Sequence, residues 1–154
     1  MGKEIERKYK VTGDQWRELT KGTVYRQGYL STLKERVVRV RTMGNTGYLT
    51  IKGITEGASR LEYQYEISVS DSNDMLDQLC EKPIIEKKRF KVEFGGLIWE
   101  IDEFFGDNQG LIVAEVELKD ENQKIELPPW IGDEIVDDPR YYNSNLIKHP
   151  YTKW

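Results

Sequence analysis

Met1-Gly2-Lys3-Glu4-Ile5-Glu6-Arg7-Lys8 opens the chain with a period-2 segment in which Glu4, Glu6 and Lys8 share one parity. Successive side chains of a β-strand point to opposite faces, so residues two apart line one surface. Two carboxylates and an ammonium are thereby aimed at one place. Hard oxygen donors of this kind hold Mg²⁺ or Mn²⁺, and the cation in turn grips phosphate. A solvated strand face shows the same pattern, so the rest of the chain decides between the two readings.

Working outward, the alternation continues through about eight strand-like segments, roughly 3–10, 24–31, 37–43, 46–53, 61–69, 84–94, 97–105 and 111–119. Gly44-Asn45-Thr46-Gly47 and Gly95-Gly96 read as tight hairpin turns. Asp14 to Thr20 and Ser72 to Cys80 are the helix candidates, the second capped by Asp71 or Ser72. The segment after Pro128-Pro129 reads as irregular, with a short helix around Asn143 to Lys148, packed on the strands. With 154 residues and no repeat or linker, the chain is read as one domain, 1–154, with strands over about 3–119 and a tail over about 120–154.

The polar faces are sorted by charge. Arg39 and Arg41 alternate with Val38 and Val40, and Lys52 follows on the next segment; Glu62, Gln64 and Glu66 alternate with Tyr63 and Tyr65. Lys87, Arg89 and Lys91 lie opposite Phe90 and Val92, Glu100 and Asp102 opposite Trp99 and Ile101, and Glu115 and Glu117 opposite Ala114 and Val116. A generic wet sheet face mixes its polar residues within each strand. Sorting of this kind suggests charged faces that look at one another across a closed sheet. Eight strands closed on themselves can enclose one small ligand. Like charges about 4 Å apart repel by about 4 kcal/mol at an effective dielectric near 20. Crowded carboxylates must therefore pair with bases, take up protons or bind metal. A metal-bound polyphosphate answers both signs at once.

Composition narrows the alternatives. Charged residues make up 32% of the chain with a net charge of −4, so there is no basic excess of the kind a nucleic-acid partner needs. No apolar run approaches the roughly 18 residues that span a bilayer, and the charged start is no signal peptide. Cys80 is the single cysteine, which fits a reducing cytoplasm, and it sits among Met75, Leu76 and Leu79 as a packed thiol would. His149 is the single histidine, so a His-based triad or zinc site is discounted.

Taken together, Glu4-Ile5-Glu6-Arg7-Lys8, Arg39-Val40-Arg41, Lys52, Glu62 to Glu66, Lys87-Lys88-Arg89, Asp102 and Glu115-Val116-Glu117 resemble the CYTH superfamily, the triphosphate tunnel metalloenzymes. The resemblance implies a mainly β (α+β) fold: a closed eight-stranded antiparallel β-barrel with a few short helices outside. It implies that Lys8, Tyr29, Arg39, Arg41, Lys52, Lys87 and Arg89 hold the phosphates of a small triphosphate. It further implies Mg²⁺ or Mn²⁺ on Glu4, Glu6, Glu115 and Glu117, with Glu62, Glu66 and Asp102 as ligands or carboxylates behind them. Relatives often carry Glu-x-Glu-x-Glu where Gln64 interrupts here, which weakens the acidic strand as a ligand set. The activity implied is that of a short bacterial-type inorganic triphosphatase, with Lys8, Arg39, Arg41, Lys52, Lys87, Arg89 and Glu117 as catalytic groups. The alternatives are a class IV adenylate cyclase, a thiamine-triphosphatase, or a non-catalytic polyphosphate-binding module. Monomer and homodimer are both open.

Overall fold

The computed structural model of the chain describes residues 3–154. Strands β1 (Lys3–Val11), β2 (Thr23–Leu33), β3 (Arg36–Met43), β4 (Thr46–Lys52) and β5 (Ser59–Ile67) precede helix α1 (Val69–Gln78). Strands β6 (Ile85–Phe94), β7 (Leu97–Phe104), β8 (Ile112–Glu117) and β9 (Ile131–Ile135) follow, and then α2 (Asn143–Leu146). All pairings between these strands are antiparallel, in the order β5-β4-β3-β2-β6-β7-β8-β1-β9. A further β1–β5 pairing, Glu4 opposite Arg60, closes β1 to β8 into a ring. The strands fall where the alternation puts them, and the fold is mainly β with few helices.

Two hairpins show why the sequence turns where it does. Gly44 stands at φ +59° between β3 and β4, as a two-residue turn with glycine first requires. Gly95 and Gly96, both at positive φ, join β6 to β7.

Three features of the sequence reading need correction. Segment 131–135 is a strand, not irregular chain: it lies along β1 with Tyr9 opposite Glu134. Residues 14–20 hold only one turn of 3-10 helix, Gln15–Glu18. Helix α1 begins earlier than expected, because Ser68 is its cap, its hydroxyl accepting from the Asp71 amide at 3.0 Å. Ser72 is instead buried against the sheet, its hydroxyl donating to the Ser68 carbonyl at 2.9 Å.

The apolar parity of the ring faces outward; it is covered along β1, β6, β7 and β8 and over β3, while Ile51 of β4 and Leu61, Tyr63 and Tyr65 of β5 stay exposed. Outside β1, β6, β7 and β8, Trp16, Phe90, Trp99 and Trp130 form the main core, with Trp99 and Trp130 meeting edge-on at 6.3 Å. Helix α1 covers β3 with Leu76, packed on Val40 and Cys80. A third cluster breaks the alternation rule. Ile85, Phe104 and Val113 share the inward parity of Lys87, Asp102 and Glu115, yet pack with Leu146 and Ile147 at α2. The interior is thus apolar at the end where α2 sits and charged along the rest.

Close approach of α1 to β4 depends on Gly47, where an added Cβ would lie 1.9 Å from Ser72 Oγ and 3.0 Å from the Ser68 carbonyl. We expect Gly47→Ala to lower the unfolding free energy by about 1–3 kcal/mol, the usual cost of overpacking. Urea denaturation reads this directly, and an unchanged midpoint would contradict the close fit of α1.

Candidate functional site

The inward parity of the ring encloses a cavity of about 360 Å³, toward the small end of the roughly 300–1,000 Å³ range of ligand pockets. Its wall takes Glu4, Glu6 and Lys8 from β1, Tyr25 and Tyr29 from β2, Arg39 and Arg41 from β3, and Lys52 from β4. Arg60, Glu62 and Gln64 come from β5, Lys87, Arg89 and Lys91 from β6, Glu100 from β7, and Glu115 and Glu117 from β8. Tyr142, Asn143 and Ser144 of the C-terminal segment complete it.

Two buried ion-pair networks compensate part of this charge. Arg89 grips Asp102 with a two-pronged contact at 2.7 and 2.8 Å, and Lys87 meets the same carboxylate at 2.9 Å. Lys52 stands 3.2 Å from both Glu4 and Glu62, while Arg60 reaches Glu4 at 3.3 Å. Although burial opposes it, Lys52 and Arg60 hold the Glu4 carboxyl down at about 2. Burial pushes Lys87 down to about 7 against the pull of Asp102.

What remains is sorted onto opposite walls. Arg41 is 8% exposed and has no ion pair among the described residues; its Nε, like that of Arg39, is buried without a hydrogen-bond partner. Burial, then Arg39 and Arg89, push the Arg41 guanidinium down to about 9. Across the ring, burial and the neighbours Glu115 and Glu4 raise the Glu6 carboxyl well above its usual range. Glu115 stays low because Lys8 and Arg89 outweigh its burial. Unanswered cations on β3 therefore face crowded carboxylates on β1 and β8.

No three acidic, histidine or cysteine side chains among the described residues are already gathered as a metal-ligand set. The carboxylates are crowded instead: Glu115 and Glu4 both push the Glu6 carboxyl up, and Glu4 and Glu62 share the Lys52 ammonium at 3.2 Å. Such crowding fits a hard divalent cation: all donors are carboxylate oxygens, and their mutual repulsion marks where added positive charge is welcome.

Twelve of the fourteen residues singled out in the sequence line the cavity: Glu4, Glu6, Lys8, Tyr29, Arg39, Arg41, Lys52, Glu62, Lys87, Arg89, Glu115 and Glu117. Asp102 has the inward parity but lies behind the wall, 1% exposed and fully engaged by Lys87 and Arg89. Glu66 is exposed opposite Tyr48 and contributes nothing to the lining. Sequence reasoning missed Arg60, which shares the parity of Glu62 but falls one residue before the expected start of β5. It also missed Tyr25, Tyr48 and the 142–144 segment. Trp16, Trp99 and Trp130 are buried in the outer core, and none of the four tryptophans touches the cavity.

The chain and its fold have counterparts among known proteins. The CYTH domain family matches residues 2–149. The chain belongs to the CYTH family. An inorganic triphosphatase of Acetivibrio thermocellus is 56% identical over 98% of this chain and 97% of its own length. One from Nitrosomonas europaea is 36% identical over 93% of this chain and 95% of its own. Among solved CYTH-like folds, a crystal structure of an inorganic triphosphatase superposes with a TM-score of 0.67 at 32% identity, covering 94% of this chain and 93% of that one.

The proton that the raised Glu6 carboxyl retains gives a pH prediction with a definite sign. A cation taking that carboxyl's oxygens must displace it, so Mg²⁺ binding releases protons and tightens as pH rises toward the raised value of Glu6. Titration calorimetry in two buffers of different ionisation enthalpy measures this. Heats that do not depend on the buffer would show that Glu6 is not where the cation binds.

Proposed function

We propose that this CYTH protein hydrolyses the terminal phosphoanhydride bond of inorganic triphosphate, releasing pyrophosphate and orthophosphate, with Mg²⁺ or Mn²⁺ as cofactor. The closed ring acts as an eight-stranded barrel whose interior is the triphosphate tunnel. The observation that carries the reading is Arg41: a buried guanidinium with no counter-charge, beside Arg39 and facing carboxylates. An anion that brings a cation with it completes both walls. The two relatives named as inorganic triphosphatases, at 56% and 36% identity, support the same substrate.

In this reading Arg39, Arg41, Lys8, Lys52, Lys87 and Arg89 bind the phosphate oxygens, with Tyr29 as a hydroxyl partner. Arginine suits the task because its planar fork donates paired bonds, while lysine adds compact charge. Phosphoryl transfer asks chiefly for positioning and charge stabilisation. Water attacks the terminal phosphorus, the bond from that phosphorus to the bridging oxygen breaks, and pyrophosphate leaves with the bridging oxygen. A carboxylate of the β1–β8 wall takes the water's proton. Glu4, Glu6, Glu115 and Glu117 would hold the divalent ion, with Glu62 beside them. The ion supplies Lewis-acid neutralisation of developing phosphate charge. Asp102 acts through Lys87 and Arg89, which it holds at 2.9 and 2.7 Å.

Orthophosphate release from tripolyphosphate and from ATP, with Mg²⁺, Mn²⁺ or chelator, tests the reading. We expect metal-dependent release, much faster from tripolyphosphate, and its loss in Glu117→Ala. Arg41→Met should cut turnover by about 10²–10³-fold, the scale of one lost charge-stabilising donor. Its ligand-free fold should be at least as stable as the parent, since an uncompensated buried cation is gone. Cyclic AMP with pyrophosphate from ATP would replace this reading with a cyclase.

A further inference from the structure

The C-terminal segment reaches into the cavity and holds two of its lysines by neutral oxygens. Lys87 Nζ donates to Asp102 Oδ2 at 2.9 Å and to Asn143 Oδ1 at 3.0 Å. The same Asn143 oxygen accepts from Gln27 Nε2 at 3.0 Å, and that amide nitrogen also lies 3.1 Å from the Tyr29 hydroxyl. Two residues earlier, the Tyr141 carbonyl accepts from Lys8 Nζ at 3.3 Å. Only an oxygen can accept from an ammonium, so the contact with Lys87 fixes which way the Asn143 amide faces.

Asn143 is itself firmly placed. It opens α2, whose Leu146 is fully buried and packs with neighbouring Ile147 among Tyr29, Phe104 and Val113. Lys87 is 1% exposed and yet lines the cavity. An ammonium has three N–H donors. Asp102 and Asn143 take two of them, and the third is left for the cavity.

We propose that Asn143 is a positioning residue that aims Lys87 at the phosphate chain without adding negative charge. The proposal rests on the triphosphate reading above. The choice of amide over carboxylate matters because Asp102 is already shared between Lys87 and Arg89. Arg89 also meets Glu100 at 3.3 Å, so a further carboxylate at position 143 would leave less positive charge for the anion. The amide oxygen fixes direction and leaves that charge in place. It also ties the site to the tail, so that α2 sets the geometry of a strand residue 56 positions away in sequence.

The test is a double-mutant cycle on tripolyphosphate binding, measured by calorimetry in chelator, where metal-dependent turnover is blocked. Wild type, Asn143→Ala, Lys87→Met and the double variant are compared, with Asn143→Asp as a near-isosteric charged variant. We expect Asn143→Ala to weaken binding by about tenfold, the scale of one hydrogen bond to a charged group. In the Lys87→Met background the same change should have almost no effect. Asn143→Asp, which keeps the shape and the acceptor, should weaken binding more than alanine does. If Asn143→Ala fails to fold, the aspartate variant carries the test alone. Equal losses in both backgrounds, or an aspartate variant that binds as well as wild type, would overturn the proposal and leave Asn143 as a filler of space. Wild-type protein that binds neither tripolyphosphate in chelator nor unhydrolysed imidotriphosphate with Mg²⁺ would instead sink the triphosphate reading itself.

Discussion

The structure turns on one constraint: a closed ring holds Arg39 and Arg41 on one wall with no ion-pair partner among the described residues, and crowded carboxylates on the opposite wall. Lys87 and Arg89 are paired with Asp102 and Glu100, and Lys52 and Arg60 with Glu4 and Glu62. Arg39 and Arg41 on β3 are left without an ion pair among the described residues, and Glu6 on β1 is crowded by Glu115 and Glu4. Buried, unanswered charge opposes folding. The outer layer must offset it, and the Trp16, Trp99 and Trp130 core together with α1 supplies the apolar burial that does so. A chain selected for stability alone would fill such an interior with apolar side chains, as this one does at the α2 end.

That end gives the cavity a direction. Ile85, Phe104 and Val113 continue the inward rows of Lys87, Asp102 and Glu115, but they meet Leu146 and Ile147. Charged ligands therefore have their partners on the far side of this plug, and the neutral oxygens of Tyr141 and Asn143 stand at the boundary. The tail thus packs on the ring, as the sequence suggests, and also finishes one wall of the site.

Much of this was legible in the sequence because period-2 alternation is a local signal. One residue in two along each strand is committed to the interior, so Arg39, Arg41, Glu115 and Glu117 were readable as inward without any knowledge of their partners. Depth along the axis is not local. Asp102 has the right parity but sits behind the wall, Glu66 has it at the exposed end of β5, and Ile85 has it in the plug. Strand β9 was invisible for a related reason: five residues with a glycine at their second position carry little alternation, and only the edge of β1 orders them. Asn143 had no sequence signal at all, since its partners Gln27 and Lys87 lie 116 and 56 residues away.

If unpaired cations and crowded carboxylates wait for one shared ligand, then anion and metal should bind cooperatively. The most direct measurement is the affinity for Mg²⁺ with and without imidotriphosphate, whose P–N–P bridges resist hydrolysis, corrected for Mg²⁺ bound by the free anion. The account predicts that each ligand tightens the other by the same factor, as linkage requires, and that the factor is well above one. Independent binding, with equal Mg²⁺ affinity in both conditions, would contradict it.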